Sequence, residues 1–409
     1  LDLIPFIILP FWHWTKMMSL FHKILKSEFG YHVKSQITGW GHTRFGKFEN
    51  IEPEEMIREA VLEALKKAGL EPQDIDGIFI GHFNGGLLRQ DFSASLASLA
   101  VPEFRHTPAV RLENACATGS AAVWAALDAI ESGRIKRGLV LGFEKMNTLP
   151  SHEIGQTLLR CSYVREEGET PGGFAGVFGS IAGEYFERYG DQSDALAMIA
   201  AKNHRNGIDN PYAHLRKDFG FEFCRNPSEK NPVVASPLKR SDCSMVSDGA
   251  AALVIEPNRS RSLEGPSVRW RSRAQINDFL PLSQRDRTCF EGASRAWESA
   301  LKLAELRLEE LDFVETHDCF TIAELLEYEA MGLAEQGQGA RVISEGLTEK
   351  DGSLPVNPSG GLKSKGHPIG ATGVSMHVMA AMQLSGEAEG MQIKNAQKGG
   401  VFNMGGAAV

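Results

Sequence analysis

Asn357-Pro-Ser-Gly-Gly-Leu-Lys-Ser-Lys-Gly-His367-Pro-Ile-Gly-Ala-Thr-Gly373 is a run in which glycine and proline crowd around a single histidine. Backbone this free costs folding free energy unless a bend or a close approach requires it, so the run is expected to shape a site rather than fill a strand or helix. Two other segments qualify as its partners: Asn114-Ala-Cys116-Ala-Thr-Gly119 and His317-Asp-Cys319-Phe320.

The Ala-Thr-Gly that closes the run occurs twice. Cys116-Ala-Thr-Gly119 leads into an apolar helical pattern over 120–130, and Gly370-Ala-Thr-Gly373 leads into another over 374–384. Further upstream the likeness continues. Residues 60–70, followed by Asp74-Ile-Asp-Gly-Ile-Phe-Ile80, resemble residues 296–306, followed by Glu310-Leu-Asp-Phe-Val-Glu-Thr316. Each copy reads as a helix, an acidic turn and a short buried strand. The chain is therefore read as an α/β protein made of two duplicated halves packed together, with a glycine turn opening an apolar helix in each. Alternating strands and helices predict mainly parallel sheets covered on both faces, which accounts for apolar runs such as 138–142 and 250–255.

Residues from about 144 to 242 break this pattern with scattered aromatics and glycines 172, 173, 176 and 179. They read as a loop domain inserted in the first half and covering a site. The Pro-, Ser- and Arg-rich stretch 256–266 marks the boundary between the halves, 31–260 and 266–409. The closing Asn403-Met-Gly-Gly-Ala-Ala repeats the look of Ser247-Asp-Gly-Ala-Ala-Ala252, so it is expected to begin a strand that is cut short. The first thirty residues do not match the rest. Residues 1–14 are apolar, but Pro5 and Pro10 interrupt them and they are too short to span a bilayer. They are read as an extension foreign to the fold, with an amphipathic helix over 19–29 as the competing reading.

Composition narrows the function classes. With 409 residues, 42% hydrophobic and 23% charged, the chain has material for two domains with their own cores. A formal net charge of -9 with no long basic run argues against nucleic acid. No integral membrane segment is read. The six cysteines, 116, 161, 224, 243, 289 and 319, contain no C-x-x-C pair, so they signal neither a zinc site nor a disulfide framework, and a reducing, cytoplasmic location fits.

Cys116 sits between a short apolar segment, 109–112, and a helix expected to start near Thr118. A thiol at such an elbow lies beside unpaired N–H groups and the positive end of the helix dipole, which favours the nucleophilic thiolate. Free cysteine is more often an inert, buried hydrophobe; the glycine turn around this one argues for chemistry. His367, held between Gly366 and Pro368, can take the thiol proton and return it. His317-Asp318-Cys319 ends a strand, where parallel sheets present ligand-binding residues, and Asp318 reads as structural.

Together the cysteine elbow, the duplicated halves and the complete 357–373 run resemble the thiolase family, over residues from about 31 to 409. His317-Asp-Cys-Phe320 stands where most of the family has Asn-Glu-Ala-Phe, which resembles the sterol-carrier-protein-type thiolases. Asn403-Met-Gly405 stands where most have Cys-x-Gly, so the second catalytic cysteine is missing from its usual place. The resemblance implies a thiolase-like fold, with two βαβαβαββ halves in αβαβα layers. It also implies an acetyl-CoA acetyltransferase-class acyltransferase, which cleaves 3-oxoacyl-CoA or runs the reverse Claisen condensation.

On this reading Cys116 takes the acyl group, His367 activates it, Cys319 exchanges the α-proton, and His317 with His367 forms an oxyanion hole. A second hole is assigned to the backbone N–H groups of Cys116 and Gly405. Ser244 is a candidate for coenzyme A binding, and Arg216, Lys217 and Lys239 are surface candidates for its phosphates. No cofactor is bound permanently; coenzyme A thioesters are substrates. A homodimer is implied, with a tetramer or a small acyl-CoA-binding companion protein as further partners. The competing functions are a ketoacyl-synthase-like condensing enzyme, an aldolase-like relative, and a non-catalytic acyl-CoA-binding subunit of a complex.

Overall fold

The repeated helix-then-strand pattern folds twice in the same way. The computed structural model describes residues 33–258, 265 and 267–409; the 1–30 extension, with its helical reading of 19–29, lies outside them. The strands are β1 Ser35–His42, β2 Gly77–Gly81, β3 Ala109–Leu112, β4 Gly138–Glu144, β5 Val233–Ala235, β6 Leu238–Lys239, β7 Gly249–Pro257, β8 Val268–Arg269, β9 Phe313–Thr316 and β10 Gly399–Phe402. The helices that matter below are α1 Pro53–Ala68, α2 Leu96–Ala100, α3 Thr118–Glu131, α4 Phe174–Tyr189, α5 Ser193–Asn206, α6 Glu291–Ala304, α7 Thr321–Ala330, α8 Gly361–Lys365 and α9 Ile369–Ser385.

α1 and α6 both end on a left-handed residue, Gly69 at φ 62° and Glu305 at φ 56°. Each is followed by a single 3₁₀ turn, Pro72–Asp74 or Leu308–Glu310, and then by β2 or β9. The same clamp follows in each half. The Asp76 carboxylate accepts the N–H groups of Lys136 and Arg137 at 2.9 Å, just before β4. That of Asp312 accepts those of Gln397 and Lys398 at 2.8 and 2.9 Å, just before β10.

The first sheet runs β3-β2-β4-β7-β1-β8 and is mixed, which corrects the expectation of mainly parallel pairing. β3, β2 and β4 are parallel, whereas β7 runs antiparallel to both β4 and β1. The loop insertion is the cause. It leaves at Glu144 and returns at Gly249, which is paired with Glu144, so the returning strand must run backwards. The continuous apolar run of β7 comes from burial on both faces, which an antiparallel strand at the middle of a sheet shares with a parallel one.

On one face Ile78, Ile80, Leu139, Leu141 and Val254 pack under Met56, Ile57, Val61 and Leu65 of α1. On the other, Phe79, Val140, Leu253 and Ile255 meet α3 and α9 through Val123, Leu127, Val374 and Val378. α9 also lies against β9 and β10, whose opposite face is covered by α6, with Trp297 stacked on Phe402 at 5.5 Å. The layers are thus helix, sheet, helix, sheet, helix. The second sheet is smaller than a full duplicate: β9 and β10 pair, and Val356 bridges to Val314. Residues 403–409 form turns rather than the expected strand, with Gly406 and Ala408 at positive φ and the Ala407 and Ala408 carbonyls held by Arg285.

The insertion is tied to the second half by buried polar groups. Lys202 of α5 pairs with Glu324 of α7, both fully buried, and also donates to the Tyr328 hydroxyl and the Val356 carbonyl at 3.1 Å. Glu324 in turn accepts from Asn203 and Asn357. Lys239 belongs to the same interior. It is buried and paired with Asp242 at 2.8 Å, so it is not the surface phosphate contact expected of it. Removing one partner of a buried pair strands the other charge, at a cost of about 3–5 kcal/mol. Lys202→Met should therefore lower stability in denaturant melts by about that much, and Lys202→Met with Glu324→Leu should cost less than Lys202→Met alone.

Candidate active site

Two helix starts meet at the centre of the molecule, and the repeated Ala-Thr-Gly allows it. A Cβ on Gly119 would lie 2.7 Å from the backbone N of Val374, and one on Gly373 would lie 2.3 Å from that of Ser120. Only glycine lets the first turns of α3 and α9 touch backbone to backbone. The contact brings the elbow before α3, which carries Cys116, against the turn before α9, which carries His367. Ala115 takes the left-handed conformation at φ 45°, an uncommon one for a residue with a Cβ, and this turns Cys116 inward.

Cys116, His317 and His367 offer atoms that all lie within 4.8 Å of one another, and all three residues are buried. The imidazole rings meet edge to face with centroids 5.0 Å apart. One thiol and two imidazoles at this spacing are also donors that could together hold a metal ion. The bonds around His367 decide its tautomer. The Thr372 hydroxyl donates to the Pro368 carbonyl at 2.9 Å, so toward His367 Nδ1, 2.6 Å away, it accepts. Nδ1 therefore carries the proton, and the Nε2 lone pair is left as a base.

The Cys116 thiol titrates well below an ordinary cysteine. A hydrogen bond with Cys161 is the largest influence; burial opposes it, and bonds with His317 and His367 lower the thiol further. Cys161 moves the other way, pushed well up by its bond to Cys116, by burial and by the charges of Glu113 and Glu144. The thiolate belongs on Cys116, because the histidines and a helix start face it while two carboxylates face Cys161. Sequence reasoning missed Cys161. It lies inside the irregular insertion, with no glycine turn or motif to mark it.

Cys319 is buried on the loop after β9 but stands outside the Cys116–His317–His367 group. Burial above all, then the nearby Cys116, Glu327 and Asp318, raises its thiol well above the usual range. Ser244 lies alongside, its N–H donating to the Cys319 carbonyl at 2.9 Å. Gly405 packs against the elbow, where a Cβ would come within 2.9 Å of the Asn114 carbonyl. Asn403, at the position of the missing cysteine, reaches the Cys116 carbonyl at 3.3 Å and His317 Nδ1 at 2.8 Å. Arg216 bonds the Ile208 carbonyl, and Lys217 sits over the Phe219 ring at 5.0 Å.

The run 357–373 is not an open loop. Every residue in it is buried, and it forms α8 and the first turn of α9 with His367 between them. Asn357 pins it to β9, accepting the Thr316 N–H at 2.8 Å and donating to the Thr316 hydroxyl at 2.9 Å. Asp318 accepts the N–H groups of Leu362 and Lys363 at 2.6 and 3.1 Å, so its role is to hold α8 beneath the site. A cavity of about 460 Å³, lined among others by Phe83, Arg111, Glu113, Ala115, Arg160 and Cys161, reaches the elbow from the exposed edge of β3.

Comparison with known proteins gives two family models that match: Thiolase, N-terminal domain, over residues 33–259, and Thiolase C-terminal domain-like, over 274–409. An acetyl-CoA acetyltransferase of Methanothermobacter thermautotrophicus is 34% identical over 375 residues, 90% of this chain and 96% of that protein. Sterol carrier protein 2 of Bos taurus is 30% identical over 393 residues, 91% of this chain and 70% of that protein. Among solved structures, the Ltp2-ChsH2(DUF35) aldolase superposes with a TM-score of 0.75 at 21% identity, covering 92% of this chain and 96% of that one, a likeness of fold.

Two outcomes are expected from the geometry. A hydrogen bond to a charged group is worth about 1.5–3 kcal/mol, and one pKa unit is about 1.4 kcal/mol. Cys161→Ala should therefore move the pH dependence of Cys116 alkylation by iodoacetamide upward by about 1–2 units, while Cys161→Ser, which keeps a donor, moves it less. Gly373→Ala must push α9 off α3. Misplacing reacting groups by about 1 Å can cost about 100-fold, and turnover should fall by that order while the fold, followed by circular dichroism, persists.

Proposed function

The chain belongs to the thiolase family, and from that premise we propose that Cys116 is the acyl carrier of this thiolase-type acyltransferase. The observation that carries the reading is the buried group of Cys116, His317 and His367, in which a thiol of lowered pKa meets an imidazole with a free Nε2. In the first step the Cys116 sulfur attacks the carbonyl of an acyl-CoA, the bond from that carbonyl to the coenzyme A sulfur breaks, and the proton taken by His367 passes to the departing thiolate. The oxygen of the tetrahedral intermediate is received by the N–H groups of Cys116 and Gly405.

In condensation Cys319 then removes the α-proton of a second acyl-CoA. The resulting carbanion attacks the acyl group on Cys116 and expels the cysteine thiolate. Thiolysis is the same path reversed. The enolate oxygen is stabilised by His317; a neutral His367, with its proton on Nδ1, has only a lone pair to present. Ser244, beside the Cys319 carbonyl, is the candidate contact for the pantetheine arm, and Arg216 and Lys217 remain candidates for the phosphates. The exposed edge of β3, with Ala109 and Val110 open to solvent, is where a second copy of the chain would pair. Among the described residues no helix is long and apolar enough to cross a membrane, and six unpaired cysteines fit a reducing compartment such as the cytoplasm.

Intact-mass measurement after mixing with acetoacetyl-CoA should find one acetyl group on the protein, with acetyl-CoA released, and neither with Cys116→Ala; no adduct and no acetyl-CoA would sink the reading. The proton-exchanging thiol is tested separately, by following solvent deuterium into the α-carbon of acetyl-CoA. Cys319→Ala should stop that exchange while acetyl-CoA still transfers its acetyl group to Cys116, a step that moves no α-proton. Exchange that survives in Cys319→Ala and stops in Cys161→Ala would move the role to Cys161.

A further inference from the structure

Asn403 occupies the position of the absent cysteine, and its bonds define which way its side-chain amide faces. The nitrogen Nδ2 lies 3.3 Å from the carbonyl oxygen of Cys116 and 3.5 Å from that of Met404. Carbonyl oxygens only accept, so this end of the amide is the NH₂ group. The other end, Oδ1, accepts from the Ser120 hydroxyl at 2.7 Å, which agrees. The same NH₂ is 2.8 Å from His317 Nδ1. That ring nitrogen must therefore offer a lone pair. A neutral imidazole with Nδ1 as acceptor carries its proton on Nε2, the buried ring nitrogen left to face the Cys116 thiol.

We propose that Asn403 is a positioning residue that locks His317 as the Nε2–H tautomer, making it a fixed, neutral hydrogen-bond donor to the oxygen on which negative charge develops. The two histidines then hold opposite tautomers. Thr372 leaves His367 with a basic Nε2, and Asn403 leaves His317 with an acidic one, so the roles of base and donor do not interchange. The proposal rests on reading Cys116 as the acyl carrier. His317 is also held below the ordinary histidine range by burial, so the neutral form is the working one. The titratable groups facing it are Cys116 from the elbow, His367 from the turn before α9, Lys365 from α8, and Glu327 of α7, which bonds the His317 backbone.

Asn403→Asp keeps the shape and inverts the bond, because a carboxylate can only accept from Nδ1. The neutral ring then carries its proton on Nδ1 and loses the Nε2–H; only the imidazolium, which the carboxylate favours, retains it. The variant should accordingly lose rate as pH rises through the raised His317 pKa. Wild type keeps its donor over the same range, because there the neutral ring bears it.

Removing one such donor typically costs about 100-fold to 1,000-fold, so at pH 8 kcat should fall by about 100-fold with KM changed only a few-fold. In the wild-type enzyme, ¹⁵N NMR of labelled histidine, assigned with His317→Gln, should show His317 protonated at Nε2 and bare at Nδ1. A wild-type His317 protonated at Nδ1, or an Asn403→Asp enzyme with kcat at pH 8 within about three-fold of wild type, would overturn the proposal. The NMR measurement decides even if the variant does not fold. The acetyl adduct on Cys116, measured in parallel, reports on the acyl-carrier reading alone, so failure of either idea is seen separately.

Discussion

The backbone contact between Gly119 and Gly373 is the constraint on which the site depends. Two helices that start in related turns can approach this closely only where neither carries a side chain, and a Cβ at either position would overlap backbone atoms of the other helix. The contact joins the two duplicated halves at their centre. It also sets the distance between groups that come from positions about 250 residues apart in a chain of 409 residues. Strand ends do the remaining positioning: β3 leads to the Cys116 elbow, β9 ends directly before His317, and β10 directly before Asn403. Rigid elements thus present Cys116, His317 and Asn403, and the glycine contact presents His367.

A site assembled in this way is buried, and the polar groups beneath it need partners inside the protein. Lys363 of the glycine-rich run reaches the Cys243 carbonyl, while Lys365, fully buried, has the charges of Glu315 and Asp318 near it; burial lowers the pKa of each. Lys202, Glu324, Asn203, Asn357 and Asp318 form a connected set under α8. Buried polar networks of this kind are stiff when complete and costly when broken. The insertion is consequently part of the floor of the site, since α5 supplies two of the members.

Much of this was legible in the sequence, and the limits have physical causes. The duplication was readable because both copies keep the same turn chemistry, down to the aspartates that clamp β4 and β10. Cys116 and His367 were readable because glycine and proline mark backbone that cannot be ordinary, and His317 because it ends a strand. The antiparallel β7 was hidden, since a strand buried on both faces shows the same apolar run whichever way it points. Lys239 was misplaced for a related reason: charge in a sequence reads as surface, and only the fold shows Asp242 waiting beside it. Cys161 carried no local mark at all. Its proximity to Cys116 is a property of how the insertion folds back.

The placement of protons follows from the same buried arrangement. An imidazole in water exchanges tautomers freely, so two identical side chains facing one sulfur would compete for both roles. Burial removes the water that would equalise them, and each ring then takes the tautomer that its second nitrogen demands. For His367 that demand comes from a threonine whose hydroxyl is already committed to a helix carbonyl, within the Ala-Thr-Gly that also makes the helix contact. For His317 it comes from an asparagine anchored by the elbow it faces. Thr118, the equivalent threonine of the first half, accepts the Asn114 N–H at 2.8 Å and so steadies the turn before Cys116. Duplication has therefore supplied one device twice, and in each half the threonine holds the turn that carries Cys116 or His367.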